Sequence, residues 1–199
     1  MKISVMDYGV GNLHSISKGI ERAGAEVVVI SDPKRLLGSE CIVFPGVGAF
    51  GAAMDQLRPV LPELRQKIAA GTPTLGVCLG MQILFDKSEE SPGEGVAVLK
   101  GDVRKLEGPR IPQMGWNDVI PGSDPLFDGI PPRTQFYFAN SYVCVPGESV
   151  EIAESEYGQR FPSAVRKGNI FGVQFHPEKS GPGGLRLLGN FVRLAEESM

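Results

Sequence analysis

The stretch Thr72–Asp86, "TPTLGVCLGMQILFD", decides how this chain is read. Its first part, "TLGV", is a short apolar run suited to a buried strand, and "LGMQILF" has the character of a helix. Cys78 stands between them, flanked by Gly76 and Gly80. Glycines on either side of a nucleophile at a strand-to-helix corner match the G-x-S-x-G elbow of hydrolases, with cysteine in place of serine. They allow a sharp turn and a close approach by substrate. A thiol at a helix N-terminus has its thiolate stabilised by unpaired N–H groups and the helix dipole, so this corner would activate Cys78. The competing reading is a small buried hydrophobe, the usual state of a free cysteine. That second reading is the one adopted for Cys41 in "CIVF" and Cys144 in "YVCV".

Upstream of the elbow, "KISVMD", "AEVVVI" and "CIVFPG" are β-branched runs, separated by "NLHSISKGIERAG" and "DPKRLLG" with helical spacing or capping signals. "GAAMDQLRPVLPELRQKIAAG" reads as helix broken at Pro59 and Pro62. Strands alternating with helices predict an α/β fold with a mostly parallel or mixed central sheet and helices on both faces. From about Gly93, "GVAVLKGDVRKL", "GWNDVI", "TQFYFANSYVCV", "VEIAESEYG" and "FPSAVRKGNIFGVQF" are separated by turn residues, which predicts added antiparallel strands extending the same sheet. A last helix should bury Leu185, Leu188, Phe191, Val192 and Ala195 on one face. Residues 1–199 are expected to form one domain, a length at which a single core still grows.

Composition narrows the function classes. With 42% hydrophobic and 22% charged residues the chain has ordinary globular usage, and its net charge of -3 supplies no basic field for nucleic acid. No apolar run reaches the roughly 18 residues that span a bilayer. "MKISVMDYG" enters a strand pattern directly, without a signal-peptide apolar region, which predicts a cytoplasmic protein. The 3 cysteines form no CxxC pair and only 2 histidines are present, so neither a disulfide framework nor a structural zinc site is expected.

A cysteine nucleophile needs a base that is itself oriented by a third group. His176 in "GVQFHPEKS" follows an apolar strand, with Glu178 two residues on and Pro177 favouring an extended backbone between them. His14 lies in a predicted helix with no adjacent carboxylate. Catalytic groups of open α/β sheets gather beyond the carboxyl ends of the strands, where both Cys78 and His176 fall. For the oxyanion, Leu79 offers the N–H directly after the nucleophile, and "FPGVGAFG" could aim a second N–H from Val47 or Gly48. That loop matches neither G-x-G-x-x-G nor the P-loop pattern, which disfavours phosphate binding. Gln82, one turn after Cys78, faces the same side of a helix.

Taken together, "GVCLGMQ", "HPE" and "PGVGAF", in that family's chain order, resemble the class I (triad) glutamine amidotransferases. The resemblance implies a glutaminase: a Cys78-His176-Glu178 triad that converts glutamine to glutamate and ammonia, with no cofactor and no metal. "DYGVGNLHS" and "PQMGWNDV" are similar to the members that serve as glutaminase subunits in histidine biosynthesis, over essentially the whole chain. This implies a separate (β/α)8-barrel cyclase subunit as partner, L-glutamine as substrate, and no contact with nucleic acid or membrane. A barrel of that kind needs about 250 residues and cannot fit here. By the same resemblance Gly48, Gln82, Ser141 and Tyr142 hold glutamine, and Asn12, Met114, Trp116, Tyr137 and Lys179 lie toward the cyclase. Gln113 departs from the histidine many members carry. On sequence alone Trp116 and Tyr137 read more readily as core aromatics, and Lys179 as a solvated charge. Two other functions stay open: a free-standing γ-glutamyl hydrolase using water alone, and a non-catalytic regulatory module of the same fold.

Overall fold

The computed structural model describes residues 1–9 and 13–199. Strand β1 (Lys2–Met6), helix α1 (Leu13–Arg22) and strand β2 (Glu26–Ile30) are followed by β3 (Cys41–Phe44), helices α2 (Phe50–Leu57) and α3 (Leu61–Ala69), β4 (Thr74–Val77) and a one-turn helix α4 (Leu79–Gln82). The capping signal in "DPKRLLG" is real, since the Asp32 side chain accepts from Lys34 N, but the segment is a 3-10 turn and not an α-helix. Of the two expected helix breaks, Pro59 falls in a 3-10 turn, Arg58–Val60. Pro62 opens α3 instead of breaking it, because the first turn has no use for its missing N–H.

The second half supplies β5 (Lys87–Ser88), β6 (Ser91–Glu94), β7 (Gly101–Lys105), β8 (Gln113–Pro121), β9 (Thr134–Asn140), β10 (Tyr142–Pro146), β11 (Glu151–Tyr157), β12 (Gln159–Lys167), β13 (Ile170–Val173) and α5 (Gly181–Glu197). Nine strands form one mixed sheet in the order β2-β1-β3-β4-β13-β12-β11-β8-β9. The pairings from β2 to β13 are parallel, and those from β13 outward are antiparallel.

The expectation that the whole second half extends this sheet needs correction, because β10, β7, β5 and β6 make a separate four-stranded sheet. The chain leaves the large sheet at Ser141. There the Tyr142 carbonyl is taken by the side chains of Gln82 and Asn140, and the Ser141 carbonyl by Leu106 N–H, which hands the strand to β7.

Two apolar layers hold the architecture. On one face of the large sheet α1 and α5 bury Ile16, Ile20, Leu187, Leu188 and Phe191 against Phe171 and Phe136. On the other, Met54, Leu57, Leu64 and Ile68 of α2 and α3 pack with Val103 and Cys144 of the small sheet. The stripe of α5 centres between Leu188 and Phe191, so Leu187 falls inside it while Leu185, expected in the core, sits at its margin, 38% exposed. Cys41 and Cys144 are fully buried, as their apolar settings predict. Among the described residues no helix is long and apolar enough to cross a membrane.

Candidate active site

The site is built where two parallel strands end level with one another. Val77 of β4 is in register with Val173 of β13, and the Cys78 N–H donates to the Val173 carbonyl at 2.7 Å. Cys78 itself takes φ 51 and ψ -105, a backbone state that L residues avoid and that costs about 1–3 kcal/mol. The flanking glycines serve a different purpose from the one read in the sequence. A Cβ on Gly80 would lie 1.9 Å from the Phe44 carbonyl oxygen, and one on Gly76 would lie 2.3 Å from that of Gly80. They allow β3, β4 and α4 to touch backbone to backbone, and the turn strain is left on Cys78. Since α4 spans only Leu79–Gln82, activation by a macrodipole is a minor effect; the free N–H groups of its first turn remain.

His176 follows β13 by three residues and caps a 3-10 turn, Pro177–Lys179. Its Nδ1 lies 2.8 Å from Glu178 Oε1, and both side chains are nearly closed off from solvent. Burial disfavours the imidazolium, but hydrogen bonds to Cys78 and Glu178, together with the negative charge of each, outweigh it and raise the pKa of His176 to about 9. The imidazole therefore faces the thiol on one side and a carboxylate on the other, the arrangement of a base with its orienting group. The His176 N–H donates to the Tyr137 carbonyl at 2.8 Å, and Ser180 Oγ both donates to the His176 carbonyl and accepts from Tyr137 N–H. His14 lies in α1, in a groove beside Glu178 and away from the sulfur.

The glycine loop lies over the elbow. A Cβ on Gly46 would fall 2.5 Å from the Val77 carbonyl oxygen and 2.8 Å from Cys78 Cβ, so this glycine is set by close approach. Gly48 has φ +113 and is the loop position where positive φ matters, next to Val47. The loop runs into α2, whose Phe50 N–H is taken by Glu90 Oε2 at 2.7 Å. Leu79 is the first residue of α4, where its N–H has no partner within the helix.

Gln82 is buried, and its Nε2 donates to the Tyr142 carbonyl at 3.1 Å and to Gln174 Oε1 at 3.2 Å. Ser141 and Tyr142 are half-buried at the junction of the two sheets, and of the residues expected to hold glutamine Tyr142 is joined to Gln82 through its carbonyl. Cys78 Sγ has the Ala139 carbonyl at 3.8 Å and Gln174 Nε2 at 3.5 Å. Gln174 was not among the residues read as functional. The pairing of "TLGVC" with "IFGVQ" in equal parallel register places it beside Cys78.

Of the surface expected to face a partner, Met114 and Trp116 are 68% and 55% exposed, which removes the core reading of Trp116. Trp116 is in register with Tyr137, their rings 6.2 Å apart, and exposed Lys179 reaches over the Tyr137 ring at 5.7 Å. Asn12 lies outside the described residues. Gln113 is buried opposite Asn140 in register, not at the surface, and its amide finds no partner among the described residues. Among the described residues no three His, Cys, Asp or Glu side chains are placed to hold a metal ion.

Comparison with known proteins agrees with this geometry. A sequence model of the family described as glutamine amidotransferase class-I matches residues 4–195. The chain is 46% identical to imidazole glycerol phosphate synthase subunit HisH of Thermococcus kodakarensis, over 96% of this chain and 100% of that one. It is 44% identical to the protein of the same name from Methanocaldococcus jannaschii, over 96% and 99% of the two chains. Among solved structures, one described as a glutamine amidotransferase superposes with a TM-score of 0.76 at 22% identity, covering 98% of both chains. The PurLQS structure from Thermotoga maritima does so with a TM-score of 0.71 at 21% identity, covering 96% of this chain and 97% of that one, a likeness of fold.

Proposed function

The chain belongs to the class-I glutamine amidotransferase family, and on that premise we propose that it is the glutaminase subunit of imidazole glycerol phosphate synthase. The observation that carries the chemistry is the buried His176–Glu178 pair set against a thiol on a strained elbow. The Cys78 thiolate attacks the side-chain amide carbon of glutamine, and the oxyanion that forms is met by N–H groups of Leu79 and of the loop at Val47–Gly48. His176, protonated below about pH 9, gives its proton to the departing nitrogen, so the C–N bond breaks and ammonia leaves a γ-glutamyl thioester. Neutral His176 then takes a proton from water, which adds to the thioester and releases glutamate with the thiolate restored. Glu178 holds the ring and balances the imidazolium, without taking the proton itself.

Ammonia passes to a (β/α)8-barrel cyclase subunit of the HisF type, in a cytoplasmic heterodimer, where it completes imidazole glycerol phosphate and aminoimidazole carboxamide ribonucleotide. The exposed Met114 and Trp116 with Lys179 support a docking face, since large apolar residues outside a core mark interaction sites. That face adjoins the base: Tyr137, whose ring meets Trp116 edge to face, accepts the His176 N–H at its carbonyl. Residues 1–199 act as one domain in this reading.

The test is co-purification with a candidate cyclase followed by glutamine-dependent synthase assay. The expected result is low glutaminase turnover alone and a rise with the cyclase and its nucleotide ligand. Full turnover by the isolated subunit, unchanged by a cyclase, would favour a free-standing hydrolase. Failure of Cys78 to react with a glutamine-like chloroketone would leave a non-catalytic module.

A further inference from the structure

The triad leaves unexplained a second buried polar side chain at the sulfur. Gln174 is fully closed off from solvent, its N–H is spent on the Ser163 carbonyl, and its amide lies between Cys78 and Gln82. An amide can present either its oxygen or its nitrogen, and which one meets a thiolate decides whether it stabilises the charge or opposes it. Here the choice is dictated from a distance. The Tyr142 carbonyl can only accept, so Gln82 must turn its Nε2 toward it. The same nitrogen is 3.2 Å from Gln174, which must therefore present Oε1 to Gln82 and Nε2 to Cys78 Sγ at 3.5 Å. Asn140 Nδ2 donates to the same Tyr142 carbonyl, which fixes that carbonyl as the anchor.

We propose that Gln174 is a positioning residue for the nucleophile, its Nε2 locked toward Cys78 Sγ by an amide relay that runs through Gln82 to the Tyr142 carbonyl. As a thiol, Cys78 can donate to the Ala139 carbonyl at 3.8 Å; as a thiolate it accepts from Gln174 in addition to facing His176, itself backed by Glu178. Deprotonation thus exchanges one contact for the other without moving the backbone. The relay joins the sulfur to Gln82, expected to hold the substrate, so ordering of Gln82 by glutamine also orders the donor on the nucleophile. This inference rests on Cys78 being the nucleophile.

The test is the pH dependence of Cys78 alkylation by iodoacetamide, read by peptide mapping in wild type, Gln174→Met and Gln82→Met. Cys41, its pKa pushed up to about 12 by burial, and Cys144, raised for the same reason, do not compete. Gln174→Met keeps the volume and loses the donor, and should raise the alkylation midpoint by about 1–2 pH units, the worth of a charge-assisted hydrogen bond. It should lower kcat for glutamine with little change in KM, since Gln174 touches sulfur and not substrate. Gln82→Met leaves Gln174 in place but unlocks it, and should shift the midpoint in the same direction by less. If Gln174→Met does not fold, the Gln82→Met midpoint decides alone. A midpoint unchanged within about 0.3 units in the folded variants overturns the proposal. Absence of any reaction of wild-type Cys78 with a glutamine-like chloroketone overturns the glutaminase reading instead.

Discussion

The ends of β4 and β13 and the loop Pro45–Gly51 both border the same sulfur, yet they are held in opposite ways. The strand ends are closed from every side: Cys78, Gln174 and His176 are buried, tied to Val173, Ser163 and Tyr137 by backbone bonds, and packed between two apolar layers. The loop touches the elbow through Gly46, while Gly48 and Ala49 are exposed. A strained φ at Cys78 survives because the surroundings over-determine it. In the proposed reading an oxyanion donor on the loop lacks that support and can be turned by a docked partner, which would suit it to control of turnover.

Substitutions at the strand ends should have the largest effects. Cys78→Ala is expected to lower glutamine-dependent synthesis by about 10⁴-fold or more while the partnered cyclase still works with ammonium salts. Equal loss of both activities would assign Cys78 to folding or docking. His176→Asn should cost about 10²–10⁴ in glutaminase kcat, and Glu178→Gln less, because the carboxylate orients the base without exchanging the proton. Near-normal turnover in the His176 variant would remove the triad.

Oxyanion control at the loop comes next. Gly48→Ala places a side chain at φ +113, which strains the donor peptide, so the stimulation of glutaminase by the cyclase and its ligand should fall by up to about 10². If ligand leaves the turnover of the wild-type complex unchanged, the loop is not the regulator.

The pH profile gives a smaller effect with a defined sign. The folded pKa of His176, about 9, lies above its ordinary 6.5, so its imidazolium stabilises the fold fully below about 6.5 and loses that contribution as pH rises through about 9. The proton donor for the leaving nitrogen is lost over the same range. Glutaminase kcat should therefore decline above about pH 9, as read in a pH-rate profile; a decline centred near 6.5 would mean that the Cys78 and Glu178 contacts do not hold the proton.

The gentlest test is at the outer surface. Trp116→Ala removes a half-exposed ring, so thermal stability should change by less than about 0.5 kcal/mol, whereas affinity for the cyclase should fall by about 2 kcal/mol in calorimetry. A large stability loss with normal binding would place Trp116 in the core after all.

The sequence by itself determined the elements whose signals are local. The β-branched runs became β1 to β4, the "GVCLG" corner became an elbow, and "HPE" placed a histidine and its carboxylate two residues apart on a turn. These follow from backbone sterics and short-range spacing, which need no knowledge of the rest of the chain. Only the tertiary structure decided what depends on strands meeting across long separations. It split "TQFYFANSYVCV" between two sheets, where side chains from α4 and β9 both take the Tyr142 carbonyl and the Leu106 N–H takes that of Ser141. It buried Gln113 and exposed Trp116 on one strand, through an alternation whose inward face is set by what β9 packs against. It also brought Gln174 level with Cys78, since parallel register is chosen by the packing of both sheet faces, over a separation in sequence that local signals do not span.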